Sequence, residues 1–296
     1  MKHTFTAILL SFLLLSSCSN DDDDKNQEGV ITSGTGKFTY GLYEPLKDKP
    51  VTVYYSIGEG DMSAMPVIFV LPGTNRDADN YIRSWTNISK EHTCMVFAIE
   101  FPEKYYSSDE YLTGNVIDNS GRFVDKEKWT FSIIEPLFQY IKSQTGNKTT
   151  KYNLFGHSAG SQFVHRYVLF NSEANIDKAV AANAGWYTMP LFNVDFPYGL
   201  KNTQLSRTDV ARAFEIDLTV HLGEKDNDPN DPSLRKTPEA MAQGAHRFAR
   251  GQYFYNNSKT MAESSKFRFD WALRTVPGVA HNQAAMAKDA TVIFFK

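Results

Sequence analysis

A serine between two glycines is the feature of this chain that most directly suggests chemistry. Ser158 stands at the centre of the motif G-H-S-A-G, which runs from Gly156 to Gly160. A short β-rich stretch precedes the motif, and residues 161–170 follow with apolar side chains at helical spacing. A strand, a sharp turn and a helix are the context in which G-x-S-x-G forms a nucleophile elbow with an exposed serine hydroxyl. The motif therefore predicts Ser158 as a nucleophile; the alternative is a glycine-rich turn with an inert serine.

A serine hydroxyl is a poor nucleophile at neutral pH, so it needs a nearby base and an acid that orients this base. His281 lies between a predicted strand and the last predicted helix, and we predict it as the base. Asp226 and Asp228 both follow the predicted strand of residues 215–222, where the acid belongs. The G-x-x-D spacing on the turn that leaves this strand favours Asp226, and Asp228 stays open as the alternative.

The acids of this loop also raise the alternative of a metal site. Counted from Asp226 as the first position, an EF-hand loop needs glycine at position 231 and glutamate at position 237. The chain has Asp231 and Thr237 there. We therefore predict neither a metal ion nor any other cofactor.

Acyl transfer also needs hydrogen-bond donors for the oxyanion of the tetrahedral intermediate. The backbone N–H of Ala159, directly after the predicted nucleophile, is one expected donor. The second should come from the loop after the predicted strand of residues 66–71, through the backbone of Thr74 or Asn75. Trp186 and Tyr187 follow another predicted strand, and we expect them to line the substrate site; the alternative is that they only pack their loop.

Alternating strands and helices must position these residues. Apolar runs at residues 66–71 and 94–99 are typical of strands buried on both faces of a parallel sheet. Two β-rich stretches, 37–43 and 51–56, predict an N-terminal hairpin. We predict an α/β fold with a mostly parallel sheet of roughly eight strands and helices on both faces. The site should lie in the loops at the carboxyl ends of the strands.

Other segments are less regular. Residues 102–128 and 191–213 show no clear period and are predicted as long loops over the site. A helix is predicted over residues 238–256, and the last strand over residues 267–276.

Four segments together resemble the α/β-hydrolases. The resemblance is closest to the esterase branch that includes polyhydroxybutyrate depolymerases and feruloyl or acetyl-xylan esterases, and it covers residues 37–296. It implies an α/β-hydrolase fold and a serine triad in the chain order serine, acid, histidine. The first segment departs from the family's commoner His-Gly pair in the oxyanion loop. The segments are Leu71-Pro72-Gly73-Thr74, Gly156 to Gly160, Gly223-x-x-Asp226 and Gly278-Val279-Ala280-His281.

The main functional hypothesis is a serine hydrolase that cleaves carboxylic esters, in small molecules or on a polymer, through an acyl-enzyme intermediate. A serine peptidase on the same fold is an alternative, although the chain has no room for the propeller or large cap domain that such peptidases usually carry. A surface-displayed binding lipoprotein with a vestigial site is a third hypothesis. The formal net charge of -3 argues against a nucleic acid partner. The sequence determines neither the natural ester nor an oligomeric state.

The N-terminus has the pattern of an export signal over residues 1–17, with Lys2 before the apolar run of residues 7–15. The run ends in Leu-Ser-Ser-Cys, which resembles a bacterial lipobox and implies diacylation of Cys18. Residues 18–36 are acidic and predict a disordered tether that resembles the surface-export signals of Bacteroidetes lipoproteins. We expect a membrane-anchored protein in the outer membrane, with a hydrolase domain over residues 37–296. The acidic tether favours a domain that faces outwards, and a periplasmic domain stays open as the alternative. An ordinary signal peptide and a plain linker are the alternatives.

Overall fold

The computed structural model describes residues 31–296, which form one eight-stranded sheet with α-helices packed on both of its faces. The predicted signal segment, Cys18 and residues 18–30 of the predicted tether lie outside the described residues. The strands are β1 (Gly34–Tyr40), β2 (Val51–Ile57), β3 (Val67–Leu71), β4 (Met95–Glu100), β5 (Tyr152–His157), β6 (Ile176–Ala182), β7 (Asp217–Gly223) and β8 (Ala272–Val276). The α-helices of the described residues are α1 (Ala78–Glu91), α2 (Ser108–Thr113), α3 (Ile134–Thr145), α4 (Ala159–Phe170), α5 (Arg207–Phe214), α6 (Pro238–Gln243), α7 (Arg247–Ser265) and α8 (Gln283–Phe294).

The strands lie across the sheet in the order β1-β2-β4-β3-β5-β6-β7-β8. β2 pairs antiparallel with β1 and β4, and the pairs from β4 onwards to β8 are parallel. The predicted N-terminal hairpin and the mostly parallel sheet of roughly eight strands are confirmed. Because parallel strands end at the same edge, the loops after β3, β5, β7 and β8 meet there.

Apolar side chains cover both faces of the sheet, which explains why the central strands are continuous apolar runs. α1 and α8 pack on one face, where the rings of Trp85 and Phe155 lie 5.1 Å apart between centroids. α3, α4 and α7 cover the other face, with Phe138, Phe163 and Phe254 fully buried. Within residues 31–296, no helix combines the length and the apolar character that crossing a bilayer requires.

The folded domain begins before residue 37, the start predicted from the sequence. β1 starts at Gly34, and Ile31 is already buried in the core. Gly36 faces the ring of Tyr55 so closely that a Cβ at Gly36 would lie 2.4 Å from ring atoms. Gly34 and Gly36 therefore belong to β1 and not to a tether, and Gly36 permits the close approach of Tyr55.

Two segments predicted as loops contain short helices. α2 lies within residues 102–128 and begins with a capping box, in which Ser107 and Glu110 each accept the other's backbone N–H. α5 begins with the same arrangement, formed by Ser206 and Asp209. The helices have only six and eight residues. Helices this short show no clear apolar period, so their capping residues indicate them better than hydrophobic periodicity does.

The C-terminal third also differs from the prediction. The helix predicted over residues 238–256 is two helices, α6 and α7, separated at Gly244 with a φ of 147°. α7 continues to Ser265. The last strand covers only Ala272–Val276, because Phe269 and Trp271 before it pack against the ring of Phe214 and do not pair with a strand.

Candidate active site

Ser158 lies at the sharp turn between β5 and α4. Its φ of 57° and ψ of -114° are a strained combination for a residue with a side chain. The flanking glycines allow this turn. A Cβ at Gly156 would lie 2.1 Å from the carbonyl oxygen of Gly160, and one at Gly160 would lie 1.9 Å from that of Leu71. The strand, turn and helix predicted from the motif are therefore present, with Ser158 partly exposed at the turn.

His281 and Asp226 are in direct contact. Nδ1 of His281 lies 2.6 Å from Oδ2 of Asp226. In the tautomer whose Nδ1–H donates to this carboxylate, Nε2 of the imidazole is left as a hydrogen-bond acceptor. Asp226 is 5% exposed and stands on a tight turn after β7, where its N–H donates to the carbonyl oxygen of Gly223 at 3.0 Å. The pair has the geometry of an acid that orients a histidine base.

Asp228, the alternative acid, lies at the surface. Its Oδ1 accepts a hydrogen bond from the backbone N–H of Asn230 at 2.8 Å. Within residues 31–296, the carboxylate hydrogen-bonded to His281 is that of Asp226. Asp228 therefore orders the loop, and Asp226 contacts the histidine.

His281 lies beside the elbow through His157, the residue before Ser158. The two imidazole rings are 4.5 Å apart between centroids. Nδ1 of His157 lies 3.1 Å from the hydroxyl oxygen of Tyr81. Burial first, and then the neighbouring His281, hold the pKa of His157 well below its usual value, so this ring is neutral. Among the described residues, no hydrogen bond joins Ser158 Oγ to His281; catalytic hydrogen bonds often tighten only when substrate binds.

Thr74 and Asn75, the predicted oxyanion donors, are exposed on the loop after β3. Within residues 31–296, neither uses its backbone N–H in a hydrogen bond. The loop touches the elbow, since a Cβ at Gly73 would lie 3.7 Å from Cβ of Ser158. Ala159 begins α4 directly after Ser158. Gly73, directly before Thr74, and Ala159 therefore lie next to Ser158 from two sides of the turn.

A buried arginine holds the loop after β3. Arg76 has a φ of 54° and is 3% exposed. Its Nη1 donates to the carbonyl oxygens of Phe101 at 2.9 Å and Tyr106 at 3.1 Å. Its guanidinium stacks on Tyr111, whose hydroxyl donates to the carbonyl oxygen of Pro72 at 2.7 Å. No motif predicts these contacts; the one signal in the sequence is a charged residue in a turn that follows a buried strand.

A second buried arginine contacts Asp226. Arg247 is 3% exposed at the start of α7, and its Nη1 lies 3.3 Å from Oδ1 of Asp226 and 2.8 Å from Oδ2 of Asp231. Its Nη2 donates to the hydroxyl of Ser233 at 2.7 Å. The hydrogen bonds from Arg247 and Ser233 hold the pKa of Asp231 well below its usual value. The sequence offers no spacing signal for Arg247, because the fold alone brings α7 to this loop.

Trp186 and Tyr187, predicted to line the substrate site, are both buried. Trp186 is 3% exposed and packs against Tyr198, with 4.7 Å between ring centroids. Tyr187 is fully buried, and its ring stacks on Phe254 at 4.5 Å. Tyr187 therefore belongs to the core and not to the wall of an open site, and only a small part of Trp186 reaches the surface.

Three arginines cluster at Trp186. The guanidinium carbons of Arg166 and Arg235 lie 4.0 Å and 4.8 Å from the centre of its ring. Arg250 donates from Nη2 to the carbonyl oxygen of Arg235 at 2.8 Å. In the part of the chain that the structure describes, these three arginines donate to neutral groups and form no ion pair with a carboxylate. Such uncompensated positive charge favours the binding of an anion.

The arginine cluster is connected to the elbow through α4. Gln162 donates its N–H to the carbonyl oxygen of Ser158 at 3.1 Å, and its own carbonyl accepts from Nη1 of Arg166 at 3.1 Å. Nη2 of Arg166 is buried without a hydrogen-bond partner among the described residues. Burial lowers the pKa of Arg166 to about 9. The cluster therefore lies within about two helical turns of Ser158.

The chain is similar to several hydrolases of known structure. No protein-family model and no curated protein matches the chain. Among solved structures, it is similar to poly(aspartic acid) hydrolase-1 from Sphingomonas sp. KT-1, with 36% identity, a TM-score of 0.87, and coverage of 90% of this chain and 100% of that chain. It is also similar to poly(3-hydroxybutyrate) depolymerase from Bordetella parapertussis, with 29% identity, a TM-score of 0.85, and coverage of 89% and 90%. An S-formylglutathione hydrolase from Agrobacterium tumefaciens, with 13% identity, a TM-score of 0.54, and coverage of 89% and 95%, shares the fold.

Proposed function

This chain belongs to the same family of α/β-hydrolases as poly(aspartic acid) hydrolase-1, and we propose that it is a serine hydrolase that cleaves carboxylic esters through Ser158, His281 and Asp226. The observation that carries the proposal is the 2.6 Å contact between His281 and Asp226 beside the strained turn at Ser158. Similarity to a poly(3-hydroxybutyrate) depolymerase, which acts on a polyester, supports the ester as the substrate class. The ester is a small molecule or is linked to a polymer.

In the proposed reaction, Ser158 Oγ attacks the carbonyl carbon of the ester while Nε2 of His281 takes its proton. The resulting oxyanion collapses, the alcohol leaves with the proton from His281, and the acyl group stays on Ser158. Water then attacks the acyl-enzyme, and His281 takes a proton from the water and returns it to Ser158 as the carboxylic acid leaves. Asp226 keeps the imidazole in the required tautomer and stabilises the imidazolium.

The oxyanion needs donors that are in position before the reaction. The proposed donors are the backbone N–H of Ala159 and that of Thr74 or Asn75. The free N–H groups of the loop and its contact with the elbow at Gly73 support this assignment. The N-terminal end of α4 adds a partial positive charge on the same side of the turn.

Replacement of the nucleophile tests the proposal. Ser158→Ala should lower kcat by about 10⁴ to 10⁶ on a p-nitrophenyl ester. Ser161→Ala is the matched control, because Ser161 is buried in the first turn of α4, three residues after Ser158, and its hydroxyl has no hydrogen-bond partner among residues 31–296. A fluorophosphonate probe should label the parent and the control, but not Ser158→Ala. A folded Ser158→Ala protein that keeps more than about a tenth of the parent rate contradicts the proposal.

A second candidate substrate is an anionic polymer with amide bonds, which corresponds to the peptidase alternative. The similar hydrolase named for poly(aspartic acid) and the arginine cluster at Trp186 both favour it. Arg235 is the member of this cluster that is partly exposed. A substrate carboxylate near Arg235 would gain a charge-assisted hydrogen bond.

Parallel assays separate the two substrates. A panel of p-nitrophenyl esters of rising chain length, methyl ferulate and poly(aspartic acid) gives the relative kcat/KM values. If the anionic polymer is a substrate, Arg235→Met should raise its KM by about tenfold and leave that of p-nitrophenyl acetate unchanged. Arg268→Met, at a surface arginine paired with Asp270, is the control. Turnover of the esters without turnover of poly(aspartic acid) contradicts the second candidate.

The protein is also proposed to be exported and anchored in a membrane by lipid on Cys18, in the outer membrane and facing outwards. The lipobox-like end of the signal segment and the acidic stretch after it support this location. Stable anchoring needs more than one lipid chain, and a diacylated cysteine supplies two.

A further inference from the structure

The first turn of α7 holds Asp226 by both its backbone and its side chain. The backbone N–H of Phe248 donates to the carbonyl oxygen of Asp226 at 3.0 Å. Nη1 of Arg247 approaches Oδ1 of Asp226 at 3.3 Å, while Oδ2 of the same carboxylate faces His281. Both side chains of this ion pair are almost fully buried, at 3% and 5% exposure. The two carboxylate oxygens of Asp226 thus have different partners, and these two contacts together fix the orientation of the carboxylate.

Arg247 also contacts a second carboxylate, that of Asp231. Its Nη1 lies closer to Asp231, at 2.8 Å, and Asp231 accepts two further hydrogen bonds from Ser233. The positive charge is therefore shared between two carboxylates. A cation paired only with Asp226 would oppose the imidazolium that forms on His281, because like charges repel more strongly in a buried site. With Asp231 present, the group of Arg247, Asp226 and Asp231 has a net charge of about -1 by formal charges.

We propose that Arg247 is a positioning residue that fixes the carboxylate of Asp226 toward His281, while Asp231 offsets its charge. The inference rests on the proposed function, in which Asp226 orients the base. Without Arg247, Oδ1 of Asp226 is buried and unsatisfied, and the carboxylate can rotate away from Nδ1 of His281. A displacement of about 1 Å in catalytic geometry can lower the rate by about 100-fold.

Kinetics of two substitutions test the proposal. Arg247→Met should lower kcat by about 10- to 100-fold, with KM changed by less than about threefold, because Arg247 is only 3% exposed and is proposed to act through Asp226. Arg247→Lys keeps the charge and one donor, so it should recover part of the lost kcat. Arg212→Met removes a surface arginine paired with Glu173 and should keep the parent values. All variants are compared at a temperature well below their melting points.

The ¹H resonance of the proton between His281 and Asp226 gives a second readout. This resonance would not change if Arg247 only stabilised the fold. A 2.6 Å hydrogen bond should give a far-downfield ¹H resonance, identified by its loss in Asp226→Asn. The resonance should shift or disappear in Arg247→Met and return partly in Arg247→Lys. If either kcat or this resonance is unchanged in folded Arg247→Met, the proposal is overturned. If Arg247→Met does not fold, the same two readouts on Arg247→Lys decide.

The two proposals fail in different ways. An active Ser158→Ala protein removes the proposed function, whatever Arg247 does. If Ser158→Ala loses activity as expected but the Arg247 variants keep the parent kcat or the parent resonance, only the proposed role of Arg247 is contradicted.

Discussion

The carbonyl oxygen of Leu71 lies so close to the Cα of Gly160 that a Cβ on this glycine would stand 1.9 Å from it. Leu71 ends β3 and Gly160 lies in the first turn of α4, so the contact joins the end of β3 to the turn that contains Ser158. The carbonyl oxygen of Pro72 would also be only 2.7 Å from that Cβ. Both neighbours are backbone atoms, which cannot rotate out of the way as a side chain can. The second glycine of the motif is thus required for packing.

Gly160→Ala should therefore be severely destabilising. A methyl group at this position must displace β3 or α4, and we expect a loss of about 4 kcal/mol or more in the free energy of unfolding, or insoluble protein. Urea unfolding followed by circular dichroism measures the change.

Gly41→Ala is the matched control for this substitution. Its Cβ would lie 3.3 Å from the nearest atom, the Cβ of Pro50, which needs only a small adjustment. We expect a change of less than about 1 kcal/mol. Equal stability of the two variants would mean that the close approach at Gly160 is not a constraint.

Strong local patterns predicted the architecture. Apolar side chains at helical spacing over residues 161–170 predicted a helix, and α4 covers Ala159–Phe170. The continuous runs of β3 and β4 identified the central strands. Where the pattern depended on long-range packing, prediction failed: Phe269 looked like a strand residue but packs on the ring of Phe214. Local spacing cannot distinguish an aromatic residue in a strand from one that fills a gap between elements.

The site was predictable in part for the same reason. Ser158, Asp226 and His281 stand in short loops after strands, and the chain order of such residues is visible in the sequence. Arg247 contacts Asp226 from a helix 21 residues further along the chain. That contact depends on how α7 meets the loop after β7, which no local period encodes. The sequence also does not indicate that Tyr187 is buried, because aromatic residues occur both in cores and in binding sites.

Buried neutral histidines should make the stability of this protein depend on pH. Burial is the main cause that lowers the pKa of His157, His165 and His221 in the folded protein. In His165, Nδ1 lies 2.9 Å from the carbonyl oxygen of Ser161, and Nε2 accepts the N–H of Thr188 at 3.1 Å. A second proton on this ring would break the bond from Thr188.

The direction of these pKa shifts determines whether the free energy of unfolding rises or falls with pH. Below a pH of about 6.5, unfolded histidines bind protons that the folded protein excludes, so the free energy of unfolding should fall as pH falls from 7 to 5. Each such histidine contributes a slope of up to about 1.4 kcal/mol per pH unit in this window. Urea unfolding at pH 7, 6 and 5 measures the slope, and His165→Gln should reduce it. A constant free energy of unfolding across these three pH values would contradict the prediction.

Removal of the predicted lipid attachment site should change location but not chemistry. Cys18→Ser should release the protein from membranes, because no acyl chain can then be attached. Its specific activity should equal that of the parent, since the candidate site lies far along the chain in the folded domain. Membrane fractionation gives the result, and protease treatment of intact cells tests the outward orientation separately. Equal membrane partition of the two proteins would refute the lipid anchor.

The acid of the proposed triad can be tested with two aspartates of one loop that have different surroundings. Asp226→Asn should lower kcat by about 10⁴, because an amide does not hold the imidazole in the required tautomer or stabilise the imidazolium. Asp228→Asn should keep a near-normal rate, since Asp228 is exposed and its carboxylate only accepts the N–H of Asn230, as an asparagine side-chain oxygen also can. Both variants are assayed side by side on the same p-nitrophenyl ester, with melting temperatures to confirm folding. A crippled Asp228→Asn beside an active Asp226→Asn would move the acid to position 228 and leave Ser158 and His281 in their proposed roles.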